Sequence, residues 1–168
     1  MIISMITAMD KNKVIGNNGR LPWRLPADTQ RFVALTMGKP VIMGRKTYDS
    51  IPDRFKPLKG RTNIIITHNP NYEAPGCIVV TSPEAALAAA GDVEEVIIGG
   101  GQAIYEAFLL QAHRLYLTII DDEFEGDTHF PTAEQIDWNI IEEQSFEPDK
   151  KNKYRYQFLT LSKKIIND

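Results

Sequence analysis

The segment EVIIGGGQAIYEAFLLQAHRLYLTII, Glu95 to Ile120, decides the fold. Glu95–Ile98 reads as a strand, and Gly99-Gly100-Gly101 reads as a sharp turn. Gln102–Leu110 then reads as a helix and Arg114–Ile120 as a second strand. Strand, glycine turn, helix and strand make a βαβ unit, which crosses over right-handedly. Upstream, Ser82 caps a helix that runs to Ala90, with Pro83 in its first position and alanines inside. Ile78–Thr81, Asn63–Thr67 and Pro40–Met43 read as strands. A turn follows at Asn69-Pro70, and Gly44-Arg45-Lys46-Thr47 opens a short helix. Pro26 and Asp28 mark the first turn of a helix that extends to about Thr36, where Gly38 ends it. Ile2–Met9 is a buried first strand, and the glycines and proline of Lys11–Trp23 make that stretch a loop. Downstream, Trp138–Ser145 and Tyr154–Leu161 pair antiparallel across the charged loop Glu147–Lys153. The expected architecture is α/β: a single domain, 1–168, with a mixed, mostly parallel central sheet, flanking helices and an antiparallel C-terminal edge.

Bulk properties narrow the function. A chain of 168 residues buries roughly 68–70% of its unfolded surface, enough for a core and a walled pocket. A net charge of −3 argues against nucleic-acid binding, which needs a basic face. The single cysteine, Cys77, rules out an internal disulfide and suits a reducing compartment. The start lacks the basic n-region of a signal peptide, and no apolar run approaches the roughly 20 residues that span a bilayer. A cytoplasmic protein without membrane association is expected. His68, His113 and His129 show no metal spacing, and no nucleophile elbow is present.

Ligands of open α/β sheets bind beyond the carboxyl ends of the strands. Two segments there are fit to hold phosphate. Gly99-Gly100-Gly101 leaves free N–H groups at a helix start. Met43-Gly44-Arg45-Lys46-Thr47 does the same and adds two cations and a hydroxyl. Two cradles point to a dinucleotide, with a further phosphate for Arg45, Lys46, Thr67 and His68. The Gly-x-Gly-x-x-Gly fingerprint is absent, so this is not an ordinary Rossmann site. The alternative, that the glycines serve tight turns and the cations are solvated, stays open at this point. Asp28 also has two readings. It is either an acid stabilising a helix N-terminus or a lone carboxylate in an apolar cleft, its acidity weakened by desolvation. From the residues alone the first is the simpler. Trp23, Tyr105 and Tyr116 read most simply as core aromatics.

Six blocks in order resemble the dihydrofolate reductase family, in its bacterial chromosomal form. They are Val14-Ile15-Gly16 with Leu21-Pro22-Trp23-Arg24-Leu25-Pro26-Ala27-Asp28 and Phe32; Lys39 through Ile51; Gly60 through Ile65; Gly100 through Tyr105; Leu115 through Thr118; and Glu125 through Pro131. The resemblance implies a dihydrofolate reductase-like fold, with an adenosine-binding subdomain at roughly 39–91 and a loop and substrate subdomain in the remainder. It implies reduction of 7,8-dihydrofolate to tetrahydrofolate by NADPH, antifolates as inhibitors, and a monomer. Asp28, assisted by Thr118, would bind the 2-amino and N3 edge of the pterin, with Leu21 and Trp23 near the reacting rings. Ile6, Thr7, Phe32, Ser50, Ile51 and Leu58 would line the substrate cleft, and Arg61 would pair with the glutamate tail. Residues Met9–Arg24 would form a mobile lid, held closed by Asp127 near Gly16.

For the cofactor, the resemblance implies Ala8 and Ile15 at the nicotinamide carboxamide, with Gly16, Gly19 and Thr128 nearby. Gly44, Arg45, Lys46 and Thr47 would hold phosphates, and Gly100, Gly101, Gln102, Ala103 and Ile104 the pyrophosphate. Arg45, Thr67 and His68 would surround the 2′-phosphate. The family's cis glycine–glycine bond falls at Gly100-Gly101. Thr7 stands where alanine is usual, Tyr48 where tryptophan or phenylalanine is common, and Gly99 where many relatives carry isoleucine or alanine. The connection 51–58 is about three residues longer than usual. The nearest enzymatic alternative is a pterin or riboflavin-precursor reductase, against which the Leu-Pro-Trp block and Thr118 favour folate. A catalytically idle nucleotide- or folate-binding module is the alternative from another class.

Overall fold

The computed structural model describes residues 1–132 and 136–164. Among these residues ten strands and four α-helices follow in chain order. They are β1 Ile2–Met9, β2 Val14–Gly16, α1 Pro26–Thr36, β3 Pro40–Gly44, α2 Arg45–Ser50, β4 Thr62–Ile66 and β5 Ile78–Val80. Next come α3 Pro83–Ala90, β6 Glu95–Ile98, α4 Gln102–Phe108, β7 Arg114–Ile120, β8 Thr128–His129, β9 Trp138–Phe146 and β10 Tyr156–Lys163. Eight strands form one sheet in the order β5-β4-β3-β6-β1-β7-β10-β9. β5 through β7 run parallel, and β10 is antiparallel to both β7 and β9.

Side chains that alternate along each parallel strand feed two separate cores. Ile42, Ile64 and Ile98 face α3 and α4, in a cluster with Ala86, Ala90 and Phe108. Their neighbours Val41, Ile65 and Ile97 face the opposite way, together with Met43 and Tyr48 and with Phe32 and Leu35 of α1. This two-sided burial explains the unbroken apolar runs of β3, β4 and β6. The α3 cap forms as its residues predict: Ser82 Oγ accepts from Ala85 N–H at 3.1 Å, and Gly91 ends the helix at φ +76°.

Three differences from the sequence reading are local. The 11–23 stretch is not all loop, because β2 pairs with β8 in a separate two-stranded ribbon. Elements this short carry no periodicity of their own, and Asp10 organises this one. One of its carboxylate oxygens accepts from Asn12 and Val14 N–H (2.8 and 2.9 Å), the other from Phe124 N–H (2.8 Å). α4 stops at Phe108, and its expected last turn tightens into a 3₁₀ turn, Leu109–Gln111. β10 begins two residues later than expected, because Asp149 holds Lys151 and Asn152 N–H groups in the preceding turn.

Candidate active site

A cleft of about 950 Å³ opens beyond the carboxyl end of β1. Its walls come from Ile6, Thr7 and Ala8 of β1, one flank of α1, α2 with the connection after it, and the glycine turn at Gly99. Pro26 starts α1 at a position where its missing N–H is no loss. That places Asp28 in the first turn with Phe32 one turn further along, and both line the cleft.

Among the described residues Asp28 is the only acid that lines the cleft, beside the cations Arg20, Arg54, Lys59 and Arg61. Its Oδ1 accepts from the Thr118 hydroxyl at 2.6 Å. Among the described residues no protein group donates to Oδ2. Burial raises the Asp28 carboxyl above the usual carboxylate range, opposed in part by the Thr118 hydrogen bond and the positive charge of Arg31. Both readings of Asp28 are therefore realised together: it lies in the helix's first turn and it faces an apolar cleft. An ionised carboxylate in such a place, with one oxygen free, is set to accept hydrogen bonds from a donor-rich ligand.

Of the residues expected to touch substrate, Ile6, Thr7, Phe32, Ser50, Ile51, Leu58 and Arg61 all line this one cleft. Arg61 is braced at the far end, with Nε donating to Lys59 O (2.9 Å) and Nη1 to Thr36 Oγ1 (3.3 Å). Gly19 and Leu21 reach the cleft from the 11–23 segment, and Leu21 is exposed. Trp23 does not reach it. It is buried against Phe124 in a cluster with Leu25, Ile120 and Tyr156, the position of a core aromatic. Thr118 is also buried, and its hydroxyl acts behind Asp28.

The two glycine turns stand side by side. Gly44 N–H donates to Gly100 O at 2.8 Å, and the Gly100–Gly101 peptide is cis. A Cβ on Gly100 would lie 2.8 Å from the Tyr105 ring, and one on Gly101 3.2 Å from Thr47 Oγ1. The first bond of α4 runs from Tyr105 N–H to Gly101 O (2.9 Å), which leaves the N–H groups of Gln102, Ala103 and Ile104 without intrahelical partners. Parallel pairing sets Gly44 beside Ile66, so Arg45 and Lys46 start beside Thr67 and His68 at one sheet edge. Arg45 is paired with Asp49 at 3.0 Å, and Asp49 also accepts from Tyr72 Oη. Free N–H groups, a backbone that only glycine permits and nearby cations fit a pyrophosphate and an additional phosphate.

β2 and β8 connect the 11–23 segment to this region. Asp127 donates its N–H to Gly16 O (3.1 Å) and accepts from Asn18 N–H (3.0 Å). A Cβ on Gly16 would come 2.7 Å from Thr128 Oγ1. His129 N–H donates to Gln102 Oε1 at 2.9 Å, which joins β8 to the start of α4. Ile15 is half-buried against the α4 core.

Some lining residues carry no sequence signal. Tyr105 is both a buried core aromatic and a cleft wall, its hydroxyl fixed to Ile6 O at 2.7 Å. Val33, Pro52, Arg54 and Phe55 line the rim, the last three within or beside the lengthened connection. Only the extra residues after Ile51 could have indicated the last three.

The chain is similar to known proteins over nearly its whole length. The family model described as dihydrofolate reductase matches residues 2–163. The chain is 45% identical over 163 residues to dihydrofolate reductase type 3 of Salmonella typhimurium, covering 97% of this chain and 99% of that one. It is 42% identical over 163 residues to the dihydrofolate reductase of Bacillus subtilis, covering 97% and 95%. Among solved structures, the dihydrofolate reductase from Enterococcus faecalis complexed with NADP(H) and RAB-propyl superposes with a TM-score of 0.89 at 35% identity, covering 96% of each chain.

Proposed function

Because the chain belongs to the dihydrofolate reductase family, which reduces dihydrofolate to tetrahydrofolate with NADPH, we propose that Asp28 is the group in this chain that anchors the pterin. The observation that carries this reading is Asp28 Oδ2, which accepts from no protein group among the described residues and belongs to the one carboxylate they place in a largely apolar cleft. Asp28 accepts from the 2-amino and N3 edge of the pterin, and Thr118 fixes the carboxylate from behind. Ile6, Thr7, Phe32, Ser50, Ile51 and Leu58 enclose the ring and exclude water, which strengthens that contact. Arg61 receives the α-carboxylate of the glutamate tail, for which a planar guanidinium is suited.

Gly100, Gly101, Gln102, Ala103 and Ile104 hold the pyrophosphate of NADPH through backbone N–H groups. Gly44, Arg45, Lys46 and Thr47 hold its other phosphates, and Arg45, Thr67 and His68 select the 2′-phosphate. Ala8, Ile15, Gly16, Gly19, Leu21 and Thr128 border the nicotinamide end. When bound there, NADPH supplies the hydride that reduces pterin C6. Asp28 sits at the wrong edge of the ring to protonate N5 directly, so that proton arrives through water while Asp28 polarises the ring. Asp127 keeps the 11–23 segment folded over the site.

The segment 39–91, which carries β3, β4, β5, α2 and α3, serves as the adenosine-binding subdomain, and the rest carries the substrate and the covering loop. The chain acts as a cytoplasmic monomer with small-molecule partners, dihydrofolate and antifolates, and no nucleic acid. Its acidic balance and its single thiol support that reading. The test is loss of NADPH absorbance with dihydrofolate, repeated with methotrexate. Turnover abolished by the antifolate supports the proposal. No turnover at saturating ligands, or turnover only with another pterin or a riboflavin precursor, refutes it.

A further inference from the structure

Arg31 lies one helical turn beyond Asp28 on α1 and outside the cleft. Its side chain crosses the flank of α1 to the sheet. Nη1 donates to Leu117 O at 2.8 Å, and Nη2 donates to Leu159 O at 3.1 Å and to Thr160 Oγ1 at 3.5 Å. The guanidinium carbon sits 4.6 Å from the centroid of the Phe158 ring. Leu117 immediately precedes Thr118, and Phe158 is the cross-strand partner of Thr118. Arg31 therefore ties α1 to the residues that flank the Asp28 hydrogen-bond partner on both β7 and β10.

We propose that Arg31 is a positioning residue for the reaction: it clamps the Asp28–Thr118 pair against the sheet and keeps a permanent positive charge one turn from the carboxylate that anchors the substrate. A plain surface arginine would need none of these contacts. A guanidinium stays protonated even when half-buried, so it can act as a fixed counter-charge, and its planar fork can meet two carbonyls at once. The other charged or titratable groups packed about it are Glu142 from β9, and Arg114 and Tyr116 from β7, all of which line the same small depression of about 380 Å³. Tyr105 of α4 lines the cleft along with Asp28, its hydroxyl fixed to Ile6 O. Glu142 and Arg114 oppose each other in sign, which leaves Arg31 as the cation nearest in sequence and on the same helix as Asp28. The electrostatic balance agrees, since the charge of Arg31 favours ionised Asp28 against its burial.

This inference rests on the reading of Asp28 as the substrate anchor, and one experiment separates the two. The Asp28 carboxyl carbon is titrated by ¹³C NMR in the free protein, assigned by its loss in Asp28→Asn, and KM for dihydrofolate is followed over the same pH range. Arg31→Gln keeps a donor for Leu117 O but drops the charge, Arg31→Lys keeps the charge, and Arg31→Met is a second uncharged variant that retains contact with Phe158. In Arg31→Gln and Arg31→Met the Asp28 midpoint is expected to rise by about half a pH unit or more. The acid limb of the KM profile should move with it, plateau kcat should change by less than about twofold, and Arg31→Lys, which keeps the charge but loses the fork, should shift the midpoint less than either uncharged variant. A midpoint and limb unmoved in both uncharged variants, with only a lower melting temperature, overturns the proposal. So does a lysine variant that shifts as far as the glutamine one. A midpoint that moves while KM does not follow overturns Asp28 as the anchor instead.

Discussion

Thr118→Val removes the one protein hydrogen bond that the Asp28 carboxylate accepts among the described residues, while nearly preserving shape. The bond is short, 2.6 Å from hydroxyl to carboxylate, and its donor is buried. A hydrogen bond to a charged group contributes about 1.5–3 kcal/mol, and it favours the ionised form of Asp28 alone. Since 1.36 kcal/mol corresponds to one pKa unit, its loss should raise the Asp28 midpoint by about one to two pH units. The acid limb of kcat/KM reports groups of the free enzyme, so that limb should move up by the same amount. Between the old and new midpoints kcat/KM should fall by up to about ten- to a hundredfold, and it should approach wild type above them. Steady-state rates across pH, paired with carboxyl titration of the free protein, measure both effects. An unmoved midpoint, with kcat/KM lowered equally at every pH, would refute the reasoning.

Other expectations follow from the same geometry. Asp28 has a folded-state pKa above its unfolded value, chiefly through burial. Its contribution to stability is therefore complete below the ordinary carboxylate range and is lost as pH rises through the raised value. Asp28→Asn should thus melt higher than wild type at neutral pH, with the gap closing in acid, as differential scanning calorimetry would show. Gly100→Ala forces a Cβ into the Tyr105 ring at φ +100°. Strain of about 1–3 kcal/mol should lower the melting temperature by roughly 2–12 °C and weaken NADPH binding measured by fluorescence titration. Arg61→Met should raise KM for dihydrofolate with little change in kcat, because the tail contact is made equally before and during hydride transfer.

Legibility in the sequence followed the range of the interactions. The α3 cap, the glycine turn and the β-branched strands are set by residues within a few positions of one another, and they formed as their residues imply. The ribbon of β2 and β8 depends on Asp10 reaching Phe124, far along the chain, and neither strand has a period to read. Asp28 looked like a helix-end acid because its cleft is built by β1, the connection after α2 and Gly99, none of them adjacent in sequence. Tyr105 was legible as core but not as wall, since a buried ring can present one face to a cavity. Arg31 gave no signal, because a charged residue on a helix flank reads as solvated until the sheet carbonyls it reaches are known. Trp23, which the family pattern puts near the reacting rings, is also readable as core, and its ring is buried in a cluster with Leu25 and Tyr156, against Phe124.

The most direct measurement is turnover of dihydrofolate by Asp28→Asn against wild type, with NADPH saturating, from neutral to acid pH. If the carboxylate grips and polarises the pterin, the variant loses most of its rate near neutrality and regains part of it in acid, where the substrate arrives already protonated. A variant that keeps wild-type rates at neutral pH, or that loses the same fraction at every pH, would contradict that role.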